Sequence, residues 1–202
     1  KGGSGSTVNR MTANSSRFGF RGREDLGGGL YAHFQLENSF GSDDGSLGGG
    51  VMWGREAWVG LGNAAWGEVK FGYGLTPYDD VLGLAHQNIG STGAQNRNNG
   101  LSGGPGFGFN QLFTNYGRGG TSGANNTGHF DARSANAISY ATPNMGGFTL
   151  RTMYSMIEEQ AASPKARLWD TAVIYSNGPV TLGATYALHK DFGGLAGVTT
   201  GA

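Results

Sequence analysis

Residues 15–21 read Ser15-Ser16-Arg17-Phe18-Gly19-Phe20-Arg21. Successive side chains of a β-strand point to opposite faces, so Phe18 and Phe20 share one face while Arg17, Gly19 and Arg21 share the other. One face is apolar and the other is cationic. The stretch therefore predicts a strand that separates an apolar environment from an aqueous one.

The same division recurs along the chain; for example, Leu30, Ala32, Phe34 and Leu36 oppose Tyr31, His33, Gln35 and Glu37. The alternation predicts eight strands, at 15–21, 30–38, 52–61, 66–73, 133–141, 147–157, 168–176 and 180–189. The connections between them alternate between short and long, which in an antiparallel meander gives one end tight turns and the other end loops. Several strands approach the roughly 9–11 residues that a tilted strand needs to cross hydrocarbon. The pattern indicates an all-β, transmembrane antiparallel β-barrel of the outer-membrane type.

Composition excludes several other classes of protein. Glycine supplies 40 of 202 residues, 14% of residues are charged, and the formal net charge is zero, which argues against a nucleic-acid partner. The absence of cysteine excludes a disulfide framework, a Cys-based metal site and a Cys nucleophile. No window approaches the roughly 18 consecutive apolar residues of a membrane helix. A membrane span in this chain would therefore be made of strands.

The 59-residue connection 74–132 is crowded with Gly, Asn and Ser. It reads either as a surface loop or as a loop folded into a barrel lumen, because unusually long loops in compact domains are often functional. The apolar stretch with adjacent acids at 78–84 (YDDVLGL) is predicted to be the ordered entry of this loop.

Three segments near the start of the chain, and two around the long loop, carry a family resemblance. SRFGFRGREDLGGGL at 16–30, FQLE at 34–37 and GREAWVGL at 54–61 resemble the second to fourth strands of the trimeric general-diffusion porins of Gram-negative outer membranes. TPYD at 76–79 resembles the start of their third loop, and SYATPNMGGF at 139–148 the hairpin that follows it. The match runs in order over about residues 15 to 190, and the ordered set is more specific than any one segment.

The resemblance implies an outer-membrane porin that lets small hydrophilic solutes and ions diffuse through a water-filled channel. Porins of this type usually have sixteen strands, whereas the pattern gives eight. The interior of an eight-stranded barrel is filled by side chains and could not hold a 59-residue loop. We therefore expect one porin domain over 1–202 that is about half of a barrel, running from the first external loop to the fifth, with a constriction loop at 74–132.

In the family, basic residues on the wall face acids on the infolded loop at the constriction. The matching candidate constriction residues here are Arg17, Arg21, Arg55, Arg133, Glu37, Asp79 and Asp80. Alternation predicts that Arg55 shares a face with Ala57 and Val59 while Trp58 points outward, and that Arg133 shares a face with Ala135, Ala137 and Ser139. After Asp80 no carboxylate appears until Asp131. Wall guanidiniums without acidic partners would give a weak preference for anions.

The resemblance also implies a homotrimer with the early strands at the subunit interface, where an outward Glu56 would be tolerated more easily than against lipid. The acidic pairs Asp43-Asp44 and Glu158-Glu159 either bridge divalent cations to lipopolysaccharide or are solvated loop charges. The four histidines lack metal-ligand spacing, and no nucleophile, phosphate or dinucleotide motif is present. We expect no enzyme, no metal and no cofactor. The alternatives are a substrate-specific outer-membrane channel, or a soluble Gly-rich β-sandwich that binds ligand with its long loop.

Overall fold

The computed structural model describes residues 16–47, 51–88, 133–156, 167–190 and 199–201. All strands in these ranges belong to one antiparallel sheet whose spatial order is the chain order. The strands are β1 (Arg17–Gly27), β2 (Leu30–Ser39), β3 (Glu56–Asn63), β4 (Gly67–Leu75), β5 (Arg133–Ala141), β6 (Phe148–Met156), β7 (Arg167–Asn177), β8 (Val180–Lys190) and β9 (Thr199–Gly201), with helix α1 (Pro77–Asn88) between β4 and β5. The predicted all-β meander is confirmed, and the described sheet is open.

Tight turns lie at one end of the sheet, which we call the short-turn end, and the longer connections lie at the other. Between β1 and β2 the turn consists of Gly28 and Gly29, with φ of +61° and +79°. Positive φ at both central residues is the requirement of a type I′ hairpin turn, and glycine meets it without strain. The predicted eight-residue connection at 22–29 is wrong, because Gly22 to Gly27 continue the β1 ladder.

The two faces of the sheet differ in chemistry, as the alternation predicted. One face, which we call the apolar face, exposes large hydrophobic side chains, among them Phe20, Phe34, Val59, Phe71, Ile138, Trp169 and Leu182. The other, the polar face, carries Arg17, Glu37, Lys70, Arg151 and Asp170. Helix α1 contacts β6, β7 and β8, and its ion pair with Arg151 places it on the polar face.

The start of β3 differs from the prediction. Residues 51–55 form a turn in which Trp53 has φ of +60°, so the strand begins at Glu56 rather than at 52. Trp53 instead packs against Phe18 and Phe20, with ring centroids 5.9 Å apart in each case. The short strand β9 was not predicted, because three residues are too few to show an alternation.

A bulge separates the two ends of β5. The β4–β5 register shifts between Gly72 and Gly74, opposite Asn136, whose φ is +51°. The shift turns Ser134 toward the polar face, where its hydroxyl donates to Ser155 Oγ at 2.6 Å. The prediction that Ala135 shares a face with Ala137 and Ser139 is therefore wrong, since the bulge places Ser134 rather than Ala135 on that face. Arg133, at the start of β5, still reaches Glu56 with its side chain.

Helix α1 forms the described part of the long connection after β4. Thr76 occupies the N-cap position, Pro77 follows at the first helical position, and Asp79 and Asp80 lie in the first turn. Each residue suits its place: threonine caps, proline lacks the N–H that would be unpaired there, and acids complement the helix dipole. The predicted ordered entry at 78–84 is thus a helix. No helix in the described ranges is both long and apolar enough to cross a membrane.

The most buried part of the sheet lies around β5 to β7. Ala137, Met153 and Leu168 form a small hydrophobic cluster there. Gly183 on β8 leaves space for the helix, because a Cβ atom at this position would lie 2.8 Å from Leu84 Cδ1. The remainder of the predicted constriction loop, residues 89–132, lies outside the described residues, as does Glu158-Glu159.

Candidate functional site on the polar face

Glu37 gathers two of the predicted wall arginines at the end of the sheet that carries the long connections. Its carboxylate lies 2.5 Å from Arg55 Nε and 3.7 Å from Arg17 Nη1. The backbone explains this placement, because Arg55 N–H donates to the Glu37 carbonyl just before β3 begins, and Gly19 pairs with Glu37 on the β1 side. The structure therefore brings together three of the residues predicted from the sequence.

Glu56 continues this line of charges on the next strand. It is the direct cross-strand partner of Glu37, and its carboxylate lies 3.8 Å from Arg133 Nε. Trp58 shares the polar face with it, and Trp58 Nε1 donates to Glu56 Oε2 at 3.0 Å. The predictions of an outward Trp58 and an outward Glu56 are wrong, because strand pairing begins at Glu56 and sets the opposite parity.

Asp80 of α1 pairs with a wall residue that the sequence did not single out. Arg151 Nη1 on β6 donates to both Asp80 carboxylate oxygens at 2.9 Å, and Nη2 donates to the Leu75 carbonyl. Arg151 sits at an inward parity of β6, in the motif FTLRTMYSM, and this parity is the signal that could have identified it. The pair joins the long connection to the wall.

These residues form a group of ion pairs, which we call the charge band: Arg17, Glu37, Arg55, Glu56, Arg133, Arg151 and Asp80. It contains four guanidiniums and three carboxylates. The expectation of wall arginines without acidic partners is wrong for Arg17, Arg55 and Arg133. Their carboxylate partners, Glu37 and Glu56, lie on strands of the sheet, whereas the family resemblance implied acids on the long loop.

Two predicted residues stand apart from the charge band. Arg21 lies opposite Gln35, closer to the short-turn end, and pairs with no carboxylate in the part of the chain that the structure describes. Asp79 lies in the first turn of α1, where its N–H donates to the Thr76 carbonyl at 3.1 Å.

Asp170 on β7 fastens the start of α1 to the sheet. Its side chain is fully buried, and its carboxylate accepts hydrogen bonds from Tyr78 N–H at 2.9 Å and from the Thr185 hydroxyl at 3.3 Å. The Thr76 hydroxyl is a further hydrogen-bond partner. Tyr78 N–H belongs to the first helical turn, which has no partner within the helix. A carboxylate on the wall therefore caps the helix of the loop.

A cavity of about 120 Å³ opens beside the charge band, lined in part by Glu56, Trp58, Lys70 and Arg151. Lys70 Nζ lies 2.5 Å from Glu68 Oε1, which adds a further ion pair to this region. Within the described ranges, no three His, Asp or Glu side chains are grouped so that they could hold a metal ion. Fixed charges of both signs face this cavity, so their effect on a solute is electrostatic.

The Asp80 carboxyl is the titratable group of α1 in this cluster. Burial raises its pKa above the ordinary value, and the nearby Asp79 charge acts in the same direction. The Arg151 guanidinium opposes this shift by favouring the ionised form, but burial is the larger effect.

Comparison with known proteins agrees with the fold. The family model described as Gram-negative porin matches residues 1–202. Outer membrane porin protein 32 of Delftia acidovorans is 38% identical over 188 residues, which cover 91% of this chain and 48% of that protein. A second relative, an outer membrane porin protein of Bordetella pertussis, is 33% identical over 185 residues, covering 86% of this chain and 42% of that protein.

Among solved structures, an anion-selective porin from Comamonas acidovorans superimposes with a TM-score of 0.57 at 33% sequence identity, covering 87% of this chain and 47% of that one. The chain thus spans about half the length of the relatives it matches. The family and the names of both relatives place it in the outer membrane of a Gram-negative bacterium. The family match over the whole sequence, together with a sheet that is apolar on one face and charged on the other, shows that the chain belongs to the Gram-negative porin family.

Proposed function

We propose that this chain forms part of the wall and the constriction of a water-filled channel, through which small hydrophilic solutes and ions diffuse passively with a weak preference for anions. The observation that carries the proposal is the charge band on the same face as α1, behind a sheet whose other face is apolar. The constriction loop, predicted at 74–132, follows the end of β4 at Leu75, and α1 is its described part.

The two faces require two different surroundings. Phe20 and Leu182 on the apolar face are 58% and 63% exposed, which suits lipid and would be costly in water over so large an area. Guanidiniums remain charged at all relevant pH values, so the polar face requires water or ion partners. Because all described strands form one sheet, no second sheet from the described ranges covers the apolar face, as the alternative of a soluble β-sandwich would require.

The preference for anions is expected to be weak because the guanidiniums are paired. One unit charge attracts an anion at 4 Å by about 1 kcal/mol in bulk water and by about 4 kcal/mol at an intermediate dielectric. A carboxylate beside each arginine cancels most of this attraction, and salt screens the remainder. What persists is the excess of one guanidinium in the charge band and the charges of Arg21 and Arg23, reduced by the charge of Asp79. The anion selectivity named for the Comamonas acidovorans porin supports the same sign.

The reversal potential in a salt gradient tests the proposal. The full-length protein, reconstituted in planar bilayers with KCl at different concentrations on the two sides, should give a potential displaced toward that of chloride. Asp79→Asn and Asp80→Asn should increase the displacement, because each removes a negative charge at the constriction. A preference for cations that persists in the doubly neutralised variant would contradict the charge argument.

For partners, we propose a homotrimer embedded in outer-membrane lipid and in contact with lipopolysaccharide, as the family suggests. Glu56 gives no support to an interface at the early strands, because it lies on the polar face. Asp43 and Asp44 are exposed in the connection between β2 and β3, where divalent cations could bridge them to lipopolysaccharide. Electrophoresis of unheated and heated samples tests the trimer: a heat-labile band of threefold mass is expected, and a monomeric band under both conditions would contradict it.

The family and the relatives' names point to a transport channel rather than to an enzyme. We accordingly propose no reaction for any residue of the charge band. The alternative of a substrate-specific channel has support from a separate group of residues on the polar face, described next.

A further inference from the structure

Three aromatic rings touch in series on the polar face of β2 and β3. The centroids of Tyr31 and His33 are 5.2 Å apart with their planes at 75°, and those of His33 and Trp58 are 5.0 Å apart at 68°. Both contacts are edge-to-face, an arrangement that aromatic pairs favour. We call these three residues the aromatic row. It was not predicted from the sequence, since Trp58 was expected on the opposite face.

Cations stand at both ends of the aromatic row. The Arg23 guanidinium lies 3.6 Å from the Tyr31 ring centroid, and Lys70 Nζ lies 4.5 Å from that of Trp58. Lys70 is neutralised by Glu68, but neither Arg23 nor Arg21 pairs with a carboxylate among the described residues. The row therefore lies next to two guanidiniums whose charge is not cancelled.

The aromatic row and the two arginines line one cavity of about 430 Å³ together with Glu68, whose carboxylate lies 2.5 Å from Lys70 Nζ and 3.6 Å from His33 Nε2. Gln35 also lines this cavity and is the cross-strand partner of Arg21, while His33 is that of Arg23. The volume falls within the range of roughly 300–1,000 Å³ that is typical of small-molecule sites. The cavity combines aromatic side chains with two guanidiniums along one edge.

Trp58 connects the cavity to the charge band through its hydrogen bond to Glu56, but the cavity extends from there toward the short-turn end. Gln35 and His33 lie two and four residues from Glu37 along β2, toward the short-turn end. At about 3.3 Å per residue, this separation is roughly 7–13 Å. On the proposed function, on which this inference rests, an anion passing the charge band would meet the aromatic row a short distance farther along the wall.

We propose that this cavity is a binding subsite for small aromatic carboxylates. The carboxylate would be held by the guanidiniums of Arg21 and Arg23, whose planar donors suit a carboxylate. The ring of the ligand would extend the edge-to-face series of the aromatic row. An aliphatic carboxylate lacks the aromatic contact, and a neutral aromatic lacks the anionic anchor, so the site selects for both properties in one molecule.

Titration of single-channel current with benzoate tests the subsite. Benzoate should reduce the current saturably, at a half-blocking concentration about two- to tenfold lower than that of cyclohexanecarboxylate, which has the same charge and a ring of similar size. Benzyl alcohol should not block at these concentrations. Equal block by benzoate and cyclohexanecarboxylate would overturn the proposal.

Variants assign the effect to the named residues. Trp58→Leu and Tyr31→Leu should each raise the half-blocking concentration of benzoate about two- to tenfold relative to that of cyclohexanecarboxylate, while Arg23→Gln should raise both. Trp169→Leu on the apolar face is the matched control and should change neither. If Trp58→Leu fails to assemble, Tyr31→Leu decides the question.

These experiments distinguish failure of the proposed channel from failure of the proposed subsite. A protein that does not conduct KCl contradicts the proposed channel, whereas a conducting protein in which both aromatic variants retain the benzoate selectivity contradicts the subsite alone. Calorimetric titration of the detergent-solubilised protein with benzoate supplies a readout that does not depend on conduction; absence of binding there would also overturn the subsite.

Discussion

Asp170 is a carboxylate in the middle of a strand, with no exposed surface, and its role becomes clear only from its partners. An unpaired carboxylate in that position would be costly, but this one accepts hydrogen bonds from Tyr78 N–H and the Thr185 hydroxyl. It completes the first turn of a helix that belongs to a different part of the chain. One side chain thus couples the loop to the wall.

Replacement of Asp170 by alanine should loosen α1. The change leaves buried donors without an acceptor, which costs about 1–3 kcal/mol for each group. We expect a lower denaturation temperature and a noisier open-channel current. Asp170→Asn retains one oxygen acceptor and should have a smaller effect. Asp44→Asn, which removes the same charge at an exposed site, is the control; equal effects of the Asp44 and Asp170 changes would show that Asp170 acts through charge alone.

Selectivity should depend on pH through Asp80. Because burial raises the pKa of Asp80, this carboxyl takes up its proton at a higher pH than an ordinary aspartate as the solution is acidified. Protonation removes the negative charge beside Arg151 and leaves the guanidinium uncompensated. The preference for chloride should therefore increase as the pH falls through this pKa. Reversal potentials measured across the pH range should show the step in the wild type and lack it in Asp80→Asn.

At the scale of elements, alternation predicted the faces of β1 and β2 correctly, because Arg17 to Asp25 pair with Ser39 to Tyr31 without a shift of register. It failed where the chain departs from a regular strand. The turn at 51–55 delays the start of β3 and reverses the predicted side of Trp58, and the bulge at Asn136 does the same to Ala135. Neither irregularity follows from local hydrophobicity, since both depend on the register with the neighbouring strand.

Only part of the candidate site was predicted from the sequence. Arg17, Arg55 and Glu37 were identified by family resemblance and are brought together by the structure. Arg151 and Asp170 were missed because their importance comes from α1, whose docking position on β6 to β8 is a long-range contact. A single sequence does not reveal which inward wall residue a distant helix will meet.

The β4–β5 bulge depends on Gly72, and this gives a test at the scale of the element. Its φ is +138°, and a Cβ atom there would lie 2.8 Å from Trp58 Cα. Gly72→Ala should destabilise the fold by about 1–3 kcal/mol from backbone strain, with the backbone clash adding to this. Gly178→Ala is the matched control, because Gly178 also has positive φ, +57°, but has open space around it. Urea or thermal denaturation should show a larger loss of stability for Gly72→Ala than for Gly178→Ala. An equal loss of stability in the two variants would show that the clash with the backbone contributes nothing.

At the scale of the whole molecule, we propose that the sheet separates lipid on its apolar face from water on its polar face. Single substitutions to cysteine can test this arrangement directly. This chain contains no cysteine, so a substitution introduces a unique thiol within it. In membranes, a water-soluble maleimide should label Gln35→Cys on the polar face and leave Phe34→Cys on the apolar face unlabelled. Both should react after denaturation. Labelling of Phe34→Cys alone would invert the assignment of the two faces.

The contact between Tyr78 and Asp170 joins groups that are 92 positions apart in the chain. The helix cannot take up its final place before β7 has joined the growing sheet, even though α1 is made well before that strand. The position of a helix near the middle of the sequence thus depends on strands that follow it, because β6, β7 and β8 supply the surface on which it rests. A change confined to these strands can therefore displace the helix without altering a residue of the helix itself.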